Sequence, residues 1–235
     1  PAKANLAPAL STVQLDQPRA DGPLWAIGHD WKAAIDGIGF SYVPFFGSEA
    51  PRNFPLRIEL AQVSVGGEPL ALAAGTPVGE GTRVTTDRGS LTERLDLQLR
   101  TVEQSFVFDH LPRRGALRID LRLQGELEGT ATADGIVFAN AHGSVGYRKA
   151  VAVDAGGAEL ALPIVWDGAM AHIEIPADFV AKAQLPLVLD PLLNTNPGLA
   201  PAPAQTQYQR SPDLATIQGP TRNCVVWKRQ WSATD

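Results

Sequence analysis

Alternation of apolar and polar side chains at every second position dominates this chain and restricts its fold most. In the stretch LRIDLRLQ, Leu117, Ile119, Leu121 and Leu123 alternate with Arg118, Asp120, Arg122 and Gln124. A β-strand points successive side chains to opposite faces, so one face of such a stretch packs on a core while the other meets water. The same rhythm runs through LRIELAQVSV (Leu56, Ile58, Leu60), RLDLQLR (Leu95, Leu97, Leu99) and SFVFD (Phe106, Phe108). It returns in VGYRKAVAVDA, AELALPIVW and AHIEIP. Glycine and proline punctuate the runs at Gly66-Gly67, Gly75, Pro112 with Gly115, Asp134-Gly135, Gly156-Gly157 and Asp167-Gly168. Asp-Gly between two alternating runs signals a hairpin, because glycine reaches positive φ without steric cost. Many short strands at close spacing predict an all-β fold, an antiparallel β-sandwich in two lobes.

One segment breaks the rhythm. In IPADFVAKAQLP, Pro176 suits the first helical position, Asp178 the first turn and Lys182 the last, and Phe179, Val180 and Ala183 share a face. This predicts one short α-helix near 177–184, stopped by Pro186. Composition shifts suggest the organisation. Residues 1–10 are Ala/Pro-rich and are expected as an extended arm. A Gly/Thr-rich seam at 74–90 separates a first β lobe, 11–74, from a second, 91–193. Residues 194–206, NTNPGLAPAPAQT, read as a Pro/Ala linker, followed by a strand-forming tail or the start of a further domain at 207–235.

The net charge of −5 gives no basic surface for nucleic acid. No apolar run approaches the ~20 residues that span a bilayer. The chain opens Pro1-Ala2-Lys3-Ala4 without a basic start and apolar block, which a secreted protein also shows after its leader is cleaved. The single cysteine, Cys224, excludes an internal disulfide and reads as a strand residue. The lack of an Asn-x-Ser/Thr sequon fits a bacterial origin.

The stretch from Gly143 to Pro191 carries a strand ending in Tyr147-x-x-Ala150, a glycine hairpin, the short helix and then Ala183-x-x-Pro186-Leu187-Val188-Leu189-Asp190-Pro191. This order resembles the N-terminal region of large secreted or cell-surface bacterial proteins whose later parts are β-repeat arrays. Leu185 and Leu189 stand where that group has an aromatic residue and an isoleucine. The closing VVWKRQWSATD is similar to the first strand of a following repeat unit. The resemblance implies a secreted or surface setting in bacteria and a chain that is a fragment of a larger protein, and it brings no catalytic motif.

The residues themselves offer few reactive patterns. HGSVG, 142–146, imitates a nucleophile elbow, but His142 replaces the first glycine and strands flank both sides, so Ser144 reads as a turn residue. His29, His110, His142 and His172 share no metal-ligand spacing. His172 alternates with Ala171 and Ile173 and is expected to face solvent or a groove. Aspartates crowd the turns, where they bond their own backbone, and no D-x-D-x-D-G loop occurs, so no cofactor is expected; a structural calcium is the alternative these oxygen-rich loops admit. Asp190, held before Pro191, reads as a cap or turn residue. Aromatics cluster between Trp25 and Phe46; packing in the core is the plainer reading, and Trp25, Trp31 and Tyr42 are the candidates for ligand contact, above all with carbohydrate. Val225, Val226, Trp227 and Trp231 are the candidates for contact with a protein partner or a second copy. The expected role is a noncatalytic extracellular module for assembly, adhesion or partner binding through edge-strand pairing. Two alternatives stand beside it: a glycan-acting hydrolase working through paired carboxylates, or its carbohydrate-binding part; and a processed pro-segment of a secreted precursor.

Overall fold

A computed structural model describes residues 12–16 and 22–197 and the strands 213–217 and 222–226. The chain forms β1 (Gln14–Leu15), β2 (Leu24–Ile27), β3 (Trp31–Ile35), β4 (Gly39–Pro44), β5 (Leu56–Val65) and β6 (Glu68–Pro69). There follow β7 (Val78–Glu80), β8 (Arg83–Asp87), β9 (Thr92–Leu97), β10 (Thr101–Phe108), β11 (Leu117–Gly125), β12 (Glu128–Thr132) and β13 (Gly135–Asn140). The remainder is β14 (Gly143–Asp154), β15 (Glu159–Leu162), β16 (Val165–Trp166), β17 (Met170–Ile175), the helix α1 (Ala177–Lys182), β18 (Leu187–Pro197), β19 (Asp213–Ile217) and β20 (Arg222–Val226).

The strands make an antiparallel sandwich. One sheet runs β1-β2-β3-β4-β5-β11-β17-β16, with β6 on β5; the other runs β12-β13-β14-β18-β10-β9-β8-β7, with β15 on β14. The alternating runs supply the core. Leu117, Ile119 and Leu121 of the first sheet, and Phe106, Phe108, Leu187 and Leu189 of the second, are fully buried in one continuous cluster. The seam at 74–90 holds the β7–β8 hairpin of the second sheet. Strands from 91–193 are shared out, since β11, β16 and β17 complete the first sheet. In β5 the period changes phase: Leu56 and Ile58 are buried, then Val63 and Val65, because the pairing with β11 shifts by one residue beside Leu121. A bulge of this kind adds one unpaired residue and reverses which side chains face inward. Leu99 lies beyond the end of β9, in the turn to β10.

The helix is a residue or two shorter than expected. Pro176 caps it rather than opening it, Val180 is buried beneath it, and Ala183 is already extended. The linker expected at 194–206 begins later than its composition suggests. Residues 194–197 belong to β18 and pair with Gly143–Gly146. Asp190 and Pro191 therefore sit inside a central strand. Proline cannot donate to a ladder, and it is tolerated there where pairing is already irregular. Opposite Pro191, β14 shifts register between Arg148 and Val151, and β10 has no registered pairs between Glu103 and Phe106.

Polar side chains tie the two sheets through the core. Arg88 Nε donates to Glu93 Oε2 at 2.8 Å, Gln104 Nε2 donates to Glu93 Oε1 at 2.8 Å, and the Tyr147 hydroxyl donates to Gln104 Oε1 at 2.8 Å. All four side chains are buried. Arg88 Nη1 reaches across to the carbonyl of Gly37, in the β3–β4 turn of the first sheet. Two more links join the sheets: Tyr42 Oη with Thr195 Oγ1 at 2.6 Å, and Trp31 Nε1 to the Gln98 carbonyl at 3.2 Å. The segment that crosses between the sheets is fastened beside Arg88. Ala73 N donates to the Arg88 carbonyl, Gly75 N to the Gly37 carbonyl, and Ser90 Oγ to the Ala71 carbonyl.

Removing one partner of a buried ion pair leaves the other charge uncompensated. Arg88→Met is expected to lower the unfolding free energy by about 3–5 kcal/mol. Tyr147→Phe, which leaves only the Gln104 oxygen unpaired, is expected to cost about 1–2 kcal/mol. Urea unfolding of the two variants beside the parent chain checks the order.

Candidate functional site

The aromatic candidates separate. Trp31 is 2% exposed and Tyr42 fully buried; their rings stack with centroids 6.0 Å apart, inside the sandwich. Neither can meet a ligand, because both point inward, on β3 and β4, and their polar atoms are bonded to the second sheet. Trp25, on the outward face of β2, is 38% exposed and carries the Lys32 ammonium 5.8 Å from its ring centroid. One exposed ring does not make the stacked platform that the clustering suggested.

The reactive-looking stretches serve the fold. Asn140 Oδ1 accepts from the amides of His142 and Gly143, which shapes the tight turn into β14, and the His142 ring stacks on Phe54. Ser144 lies in β14 opposite Ala139 and Asn196. Turn aspartates accept backbone amides: Asp36 from Ile38 and Gly39, Asp87 from Gly89, Asp154 from Ala158 and Gln184. The Met170 and Ala169 amides, with His172, hold Asp167 at a pKa of about 2. His172 is set between Asp120 (Nδ1 to Oδ1, 2.7 Å) and Asp167 (Nε2 to Oδ2, 3.1 Å), on the outer face of the first sheet. Arg118 is 2.8 Å from the same Nδ1. At the β2–β3 turn, Asp30 is 7% exposed and burial raises its pKa; its Oδ1 and the Nδ1 of His29 have no hydrogen-bond partner. Among the described residues, no three His, Cys, Asp or Glu side chains are grouped to hold a metal ion.

One acidic pair escaped the sequence reading. On the outer face of the second sheet, the charge of Glu103 of β10 acts on Asp190 of β18. Ser105 Oγ donates to Asp190 at 3.2 Å, and Gln98 Nε2 to Glu103 at 3.3 Å. Burial comes first and Glu103 second in pushing the Asp190 carboxyl up to about 7. A cavity of about 380 Å³ lies elsewhere, between α1 and the β14–β15 hairpin, with Leu160, Pro176, Phe179 and Lys182 in its wall. Neither Glu103 nor Asp190 lines it.

The tail residues fall into two groups. Val225 and Val226 lie in β20, opposite Leu214 and Asp213 of β19. Trp227 and Trp231 lie outside the described residues. The β19–β20 pair is a two-stranded sheet of its own and adds to neither sheet of the sandwich. No helix among the described residues is long and apolar enough to cross a membrane. Compared with known proteins, the chain matches no family model, no curated protein and no solved structure.

The carboxyl pair gives a pH dependence of definite sign. A carboxyl whose folded pKa lies above its unfolded value stabilises fully below the unfolded value and loses that contribution as pH rises through the folded one. The window runs from the ordinary 3.8 of Asp190 to about 7. Unfolding free energy is expected to fall between about pH 4 and pH 7 in the parent chain. In Asp190→Asn, which keeps a hydrogen bond without the charge, the fall is expected to be smaller by about 1 kcal/mol, a figure reduced for the solvent around a half-exposed pair. Urea titrations at several pH values read it out.

Proposed function

We propose that this chain is a noncatalytic module for assembly or partner binding by edge-strand pairing, from the leading β region of a secreted or cell-surface bacterial protein. The observation that carries the reading is the separate β19–β20 sheet. A lone hairpin is marginally stable in water and gains from a third strand or a packed face. Extended segments of another chain add to open sheet edges through main-chain hydrogen bonds, with side-chain pockets giving selectivity. The tail, with its β-branched residues and Trp227 and Trp231, has the composition for such pairing. The polar groups of the sandwich support a structural role, because Arg88, Glu93, Gln104 and Tyr147 are spent on one another and on the Gly37 carbonyl of the other sheet.

Deleting 207–235 is expected to leave the melting of the sandwich unchanged and to lower the mass of the species formed at high protein concentration. Amides of 213–217 and 222–226 are expected to exchange hydrogen quickly in dilute solution and slowly once assembled. Equal protection at every concentration, or association indifferent to the deletion, refutes the reading.

A further inference from the structure

We infer that the free edge of β12 is a self-complementary surface that pairs with β12 of a second copy of this chain. The inference rests on the reading of the chain as an assembly module, but it uses an edge remote in sequence from the tail. Among the described strands with a single neighbour in the two sandwich sheets, β1, β6 and β16 have two residues, β7 three, β15 four and β12 five. Every residue of β12 except Gly129 is exposed. Its ladder with β13 is unbroken from Glu128 opposite Ala139 to Thr132 opposite Gly135. Edge strands are ordinarily guarded by a bulge, a proline, charged side chains or extreme shortness; β12, Glu128-Gly129-Thr130-Ala131-Thr132, has only one charge, at its first residue.

Its geometry dictates how it pairs. The two-residue connection Ala133–Asp134 makes Thr132 and Gly135 a mutually hydrogen-bonded pair. Alternation then turns the amides and carbonyls of Glu128, Thr130 and Thr132 toward β13, and those of Gly129 and Ala131 toward the open side. An antiparallel partner related by a two-fold axis through Thr130 sets Gly129 against Ala131 of the second copy, and the reverse. Both exposed amides and both exposed carbonyls of each copy are then satisfied. Thr130 meets Thr130 in a close, non-hydrogen-bonded pair, and threonine pairs favour such positions. Glu128 meets the hydroxyl of Thr132. A register centred two residues earlier would set two Glu128 carboxylates face to face, which disfavours it. A closed two-fold contact of one patch with itself is the commonest form of self-association.

Sedimentation velocity over a range of concentrations tests this on the full chain and on the chain lacking 207–235. A reversible dimer is expected in both, with larger species confined to the full chain. Ala131→Pro removes an outward amide and leaves the β13 ladder intact; Thr130→Lys opposes two like charges across the axis without touching the backbone. Each is expected to weaken the dimer at least tenfold while circular dichroism stays unchanged. In a Cys224→Ser background, Thr130→Cys is expected to oxidise to a covalent dimer, and Ala131→Cys is not. A dimer that survives both edge substitutions, the absence of a dimer, or failure of the Thr130→Cys cross-link overturns the inference. Loss of all association on deleting the tail overturns it too, while leaving the proposed function standing.

Discussion

The sandwich depends on one buried ion pair, Arg88 with Glu93, and on the hydrogen bonds that complete it. A carboxylate taken out of water must find a counter-charge and donors for its remaining lone pairs, or its burial is prohibitive. Glu93 finds Arg88 on one oxygen and Gln104 on the other, and Tyr147 occupies Gln104 in turn. Burial raises the Tyr147 hydroxyl well above its ordinary pKa, with the Glu93 charge adding to the effect, so it stays a donor. These side chains come from β9, β10 and β14 and from the turn after β8. The network therefore fixes the relative positions of strands that the apolar core alone would hold less specifically.

The outside of the molecule is arranged differently. The first sheet shows water a lattice of ion pairs: Asp36 with Arg57, Arg57 with Glu59, Glu59 with Arg122, and Arg118 with Asp120. Such pairs contribute little to stability, yet they leave few charges seeking partners. On the second sheet Glu103 and Asp190 form a like-charge pair, and the Glu103 charge raises the Asp190 pKa. The pair lies where Pro191 interrupts the ladder. The free main-chain groups of β12 lie at the end of the same sheet. Among the described strands, β12 has a neighbour on one side only.

Much of the architecture was legible as period two. Leu117 to Leu123, Phe106 with Phe108, and the Asp-Gly turns all fell where the pattern put them, because burial on one face is what the pattern encodes. The bulge in β5 was not read: the alternation was carried on through Leu60, whereas the inward face resumes at Val63 after the register shift. Gln104 and Glu93 were not legible, since a polar residue on an inward face can be assigned only when its partners from other strands are known. Asp190 was misplaced for a related reason. Asp-Pro reads locally as a turn, and only the bulge contributed by β14 makes room for it inside a strand. Trp31 and Tyr42 were named as ligand candidates by their crowding in sequence, whereas exposure is a property of the fold, and it left Trp25 alone at the surface.

The carbonyl of Gly37 accepts from Arg88 and from the amide of Gly75, so one oxygen joins a turn of the first sheet, the core network and the strand-to-strand crossover. Neither sheet can then peel away and leave the other intact. Loosening either breaks the crossover and strands a buried charge at the same moment. The two layers should therefore come apart as a single cooperative unit, with no half-folded form in which one sheet stands alone.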